Sequence, residues 1–90
     1  MTSYEYEMAN SHFGQRLKER FGITFTEATK GKLLRAIAQK DARFCGITEN
    51  EFGKVLTFYT RILEKPMIFK VSDRGFFITC MNPSREVIND

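Results

Sequence analysis

The chain has 90 residues, 42% of them apolar and 28% charged, with nine phenylalanines. That supplies the single modest core of one small domain, and the charged fraction does not suggest disorder. The net charge of +3 is uneven. Residues 1–10 carry Glu5 and Glu7 against no base, residues 11–43 carry eight bases against Glu19, Glu27 and Asp41, and the remainder balances. A basic first half suits a polyanionic partner on one face.

Two cysteines, Cys45 and Cys80, and one histidine, His12, are too few and too scattered for a zinc site. No metal and no cofactor is expected. No apolar run approaches membrane-spanning length. The opening Met1-Thr2-Ser3-Tyr4-Glu5 has neither the basic start nor the apolar centre of a leader. The expectation is a cytoplasmic protein with free, buried thiols and no membrane partner.

Residues 1–9 alternate Tyr4, Tyr6 and Met8 among polar residues, which reads as a short arm or a strand pairing with a sheet edge. Ser11 to Phe21 reads as a helix, with Asn10 or Ser11 as its cap and Gly22 at its end. Residues four apart share a helix face, so His12, Arg16 and Arg20 form one stripe, with Phe13, Leu17 and Phe21 beside it. An imidazole moves protons near neutrality, and guanidinium groups hold phosphate through forked hydrogen bonds. Gly14 weakens this helix by about 1 kcal/mol relative to Ala, unless it serves packing or a close approach of backbone or ligand.

A second helix opens at Ile23–Glu27, where Thr24 and Glu27 form a capping box, and should end near Lys40 to Ala42. Its expected apolar face is Ala28, Leu34, Ile37 and Ala38, with Leu33 at the margin. Lys30, Lys32 and Arg35 lie on the rest, and with Lys18 they are candidate nucleic-acid contacts. Gly31 is a flaw in the middle.

Arg43 to Ile47 reads as an edge strand. Val55 to Leu63 also fits a helical face running from Phe52, but its β-branched and aromatic content favours a strand. Glu64-Lys65-Pro66 is then a turn, Met67 to Val71 a strand, Ser72 to Gly75 a tight turn and Phe76 to Met81 the last strand, stopped by Asn82-Pro83. Phe76 and Phe77 are expected in the core. The fold class is α+β: two N-terminal helices packed on one face of a three- to four-stranded antiparallel sheet, in a single domain whose helix–helix–sheet part spans 11–83. The sheet's other face would present Thr57, Tyr59, Arg61 or their neighbours.

His12-Phe13-Gly14-Gln15-Arg16 through Gly22-Ile23-Thr24 resembles the opening of small ribonuclease-like toxins and phage proteins of the barnase–EndoU–colicin–RelE superfamily. Lys54 to Pro83 resembles their sheet, with a Pro turn, an Asp-x-Gly turn and a last strand reading Ile78-Thr79 before Pro83. Phe21 separates Arg20 from Gly22 where that pattern has Arg directly before Gly. The resemblance implies metal-independent endoribonuclease chemistry, in which the ribose 2′-hydroxyl attacks the neighbouring phosphate. It would make His12 the general base or acid, Arg16 and Arg20 the phosphate clamp and Thr79 a polar contact. Lys70 and Tyr59 would bind RNA from the sheet. Two further readings stand beside this one. One is a small interaction protein whose partner is an antitoxin or a host enzyme, and the other is a binder of nucleic acid without catalysis.

Overall fold

A computed structural model describes residues 3–51 and 53–83. Phe52, which the helical alternative used, lies outside the described residues, as do 1–2 and 84–90. Three helices, α1 (Ser3–Asn10), α2 (His12–Phe21) and α3 (Glu27–Ala38), precede four strands, β1 (Arg43–Asn50), β2 (Gly53–Ile62), β3 (Lys65–Ser72) and β4 (Phe77–Met81). The strands form one antiparallel sheet in the order β1-β2-β3-β4. The class is α+β, and the strand expected over Val55 to Leu63 is present as β2, which ends one residue earlier at Ile62. Among the described residues no helix is long and apolar enough to cross a membrane.

Residues 3–10 are helical, neither an arm nor a strand. Met8 decides this: it is buried and joins the main core, and tertiary contact of that kind stabilises a helix too short to stand alone. Ser11 joins the first two helices. Its hydroxyl donates to the Met8 carbonyl (2.7 Å) and accepts from the Gly14 amide (3.1 Å), closing α1 and capping α2 together. At the far end Gly22 adopts the left-handed conformation (φ 69°), and the amides of Gly22 and Ile23 return to the Lys18 and Leu17 carbonyls.

The cap of α3 is Thr26, not Thr24: its side chain accepts from the Thr29 amide (3.3 Å). Thr24 contributes its carbonyl instead, taking the Thr29 hydroxyl (3.1 Å). The displaced start lets Phe25 enter the core ahead of the first turn. The buried face of the helix also differs from the expected one. Leu33 is buried with Ala36 and Ile37 against the core, whereas Leu34 is 42% exposed and Ala28 is exposed. The helix stops at Ala38, short of the expected end, and Lys40 takes a positive φ of 61°.

The β2–β3 turn is Leu63-Glu64, both left-handed (φ 49° and 66°), as a two-residue hairpin requires. Pro66 therefore lies inside β3, opposite Arg61, not in the turn. Pairing alternates in an antiparallel ladder, so Pro66 turns its missing donor away from β2, where no β4 residue pairs with it.

Cross-strand pairing fixes the two sides of the sheet. Phe58, Phe69 and Cys80 form one row, and Leu56 and Val71 sit in another on the same side. Phe69, Val71 and Cys80 share a cluster with Met8, Phe13, Leu17, Phe25 and Leu33, so all three helices contribute to this inner side. A line of rings crosses it: Phe25–Phe13 at 4.7 Å, Phe13–Phe77 at 5.1 Å, then Phe69, Phe58 and Phe44. Phe77 is core as expected, but Phe76 is 68% exposed. Val55 and Ile68 are buried yet stand outside that cluster, and they mark the outer side.

Candidate nucleic-acid interface

The helical stripe forms, but its members are engaged differently. Arg20 donates to the Cys80 carbonyl (2.7 Å), tying α2 to the edge strand β4. That contact satisfies a backbone acceptor on an exposed sheet edge. Arg16 pairs with Glu19 at 2.8 Å on the helix surface. His12 is exposed at the first position of α2 and has no polar partner among the described residues. Cys80 lies beneath the two arginines. Burial pushes its thiol up to about 11, with Arg20 and Arg16 pulling weakly the other way. It is a neutral core group at physiological pH. Cys45, expected to be buried, is exposed where a bulge in β1 leaves it out of the pairing.

Thr79 pairs with Lys70, one position from Cys80, so its side chain leaves the opposite side of the sheet. The four candidate catalytic residues therefore do not surround one point: His12, Arg16 and Arg20 are on the helical side and Thr79 is on the outer side. The candidate binding residues divide in the same way. Lys18 is exposed on α2. On α3, Lys32 and Arg35 are exposed, and Lys30 is half-buried beside Met8, Phe25 and Phe76. Tyr59 and Lys70 are on the outer side.

That outer side has an order of its own. One row reads Arg43, Tyr59, Ile68, Met81 across the four strands, and the next reads Thr57, Lys70, Thr79. Arg61 occupies the following position of β2 on this side, its guanidinium donating to the Glu64 carbonyl (2.9 Å). The Arg43 guanidinium carbon stands 5.4 Å from the Tyr59 ring centre. Three cations, one aromatic ring and two threonines thus share a surface. Glu49 is the one acid within the four strands, and its cross-strand partner is Lys54, on the inner side by alternation. Same-side rows repeat about every 7 Å along a strand, so the cations are spread over the surface.

Arg43 was not legible as a site residue. Its relation to Tyr59 exists only through pairing of β1 with β2, and the bulge between Phe44 and Gly46 shifts that pairing by one residue. Periodicity of β1 alone does not give its face.

Comparison with protein-family models, with curated proteins and with solved structures found no match to this chain.

Proposed function

We propose that the chain binds single-stranded RNA across the outer side of its sheet. The observation carrying this reading is the composition of that side: Arg43, Arg61 and Lys70 surround Tyr59 with no acid in its strand positions. Single strands are held by cations that track the backbone and by flat groups on which bases stack, and a guanidinium plane serves for stacking as a ring does. The stacked Arg43–Tyr59 pair offers both. Thr57 and Thr79 add hydroxyls able to meet a ribose 2′-hydroxyl. The resemblance to ribonuclease-like toxins also points to RNA as the polyanion. The cleavage chemistry that it implies would need His12 and Thr79 around one phosphate, and they lie on opposite sides of the sheet. Binding without cleavage is the reading favoured here.

The test is fluorescence anisotropy with a labelled single-stranded RNA oligomer. Three phosphate contacts give a log–log salt slope of about −2, so affinity should fall roughly 20-fold between 50 and 200 mM salt. Tyr59→Ala should weaken binding by about tenfold, in the range of one lost base stack, and His12→Ala should leave it unchanged. A salt-independent affinity, or a loss with His12→Ala and none with Tyr59→Ala, would defeat the proposal.

A further inference from the structure

The outer side ends in a cleft. It has a volume of about 390 Å³, and its lining includes Val55, Ser72, Asp73, Arg74, Phe76 and Ile78. Val55 and Ser72 are cross-strand partners one row beyond Thr57 and Lys70, so the cleft continues the proposed RNA surface. Its size is near the lower end of small-molecule sites, roughly 300–1,000 Å³.

The walls are held in place. The Asp73 amide donates to the Lys54 carbonyl (3.0 Å), joining the β3–β4 turn to the start of β2. The Ser72 hydroxyl accepts from the amides of Arg74 (3.3 Å) and Phe76 (3.0 Å). Gly75 completes the turn with φ 88°, a conformation that favours glycine. Among the described residues the side chains of Asp73 and Arg74 form no ion pair and no hydrogen bond with one another or with other groups. The Asp73 carboxylate lies over Gly53, its Oδ1 3.6 Å from where a Cβ would stand. The Phe76 ring is 68% exposed at the rim, although its neighbour Phe77 is core.

A carboxylate, a cation, an apolar floor and an exposed ring within one cleft define a ligand with a flat ring, a pair of donors and negative charge. We infer that the cleft takes one unpaired guanine of the bound RNA. Guanine is the base whose Watson–Crick edge offers two adjacent donors, N1–H and N2–H, which match the two oxygens of one carboxylate. Asp73 accepts them, Phe76 stacks on the ring above Val55 and Ile78, and Arg74 meets a flanking phosphate. This inference rests on the outer-side reading and adds sequence preference to it.

Two labelled heptamers decide it: one of seven uridines, and one with guanosine at its centre. The parent protein should bind the guanosine oligomer about tenfold more tightly, in the range for a bidentate base contact. Asp73→Asn should abolish that preference and leave the all-uridine affinity within twofold. Phe76→Ala, at an exposed position, should weaken the guanosine oligomer at least fivefold. Equal affinities in the parent, or a preference that survives Asp73→Asn, would overturn the guanine site while the outer-side reading stands. Failure of both oligomers to bind would overturn the outer-side reading and this inference with it.

Discussion

Replacing Gly14 by alanine should destabilise the fold by about 3 kcal/mol, and the same change at Gly31 should stabilise it by roughly 0.5–1 kcal/mol. Both glycines lie inside helices, where alanine is intrinsically the better residue. Their surroundings reverse the sign at one of them. A Cβ on Gly14 would overlap the Met8 carbonyl oxygen and stand 2.7 Å from that of Ala9. These are backbone atoms of α1, which turns back over α2 at Ser11, so relief requires moving a helix and the core contact of Met8. A Cβ on Gly31 would meet nothing closer than the end of the Arg35 side chain at 3.9 Å, an ordinary van der Waals contact. Urea melts of the two single variants measure both values. A stabilised Gly14→Ala protein would mean that α1 does not close on α2 as described.

Reversing two charges on the outer side, Arg61→Glu with Lys70→Glu, should weaken RNA binding about 100-fold at physiological salt. The matched pair on the helical side, Lys18→Glu with Lys32→Glu, should weaken it no more than about threefold. Both double variants change the net charge equally, so any long-range effect of charge is common to them. At 0.15 M salt exposed charges act over about 8 Å, and only residues at the phosphates should matter strongly. All four side chains are exposed or half-exposed, so folding should survive. Equal losses in the two variants would reduce the effect to net charge, and a larger loss on the helical side would return the site to α2 and α3.

The elements were largely legible in the sequence because their signals are local. Ser11 and Gly22 bound α2, the phenylalanine spacing buries one stripe of it, and the β-branched content of Val55 to Ile62 outweighs its helical periodicity. What failed depended on contacts distant in sequence. Met8 makes residues 3–10 a helix by reaching a core assembled from five other elements. Leu33 and Leu34 exchange roles because both fit a helical face with Ile37, and only the packing of α3 on the core decides which one is buried. Phe76 and Phe77 are equivalent in sequence, yet one enters the ring cluster and the other stays at the rim of a cleft.

The candidate site was legible only as residue types. Tyr59, Lys70 and Thr79 were named from the strands and do share a surface, since alternation along β2 and β4 is a local rule and pairing with β3 brings the strands together. His12 and the two arginines were named from helical spacing, which is also local and also correct. Spacing within one helix does not say what lies across from it. Arg20 faces a strand carbonyl, and Thr79 is turned to the other side by the single position that separates it from Cys80.

The most direct test is an amide NMR titration of the ¹⁵N-labelled protein with a single-stranded RNA heptamer. Salt-sensitive shifts should concentrate at Arg43, Thr57, Tyr59, Arg61, Lys70 and Thr79, with those of His12, Arg16 and Lys18 unmoved. Shifts centred on His12, Arg16 and Arg20 with a quiet sheet would contradict the outer-side interface and restore the helical stripe as the place where RNA is met.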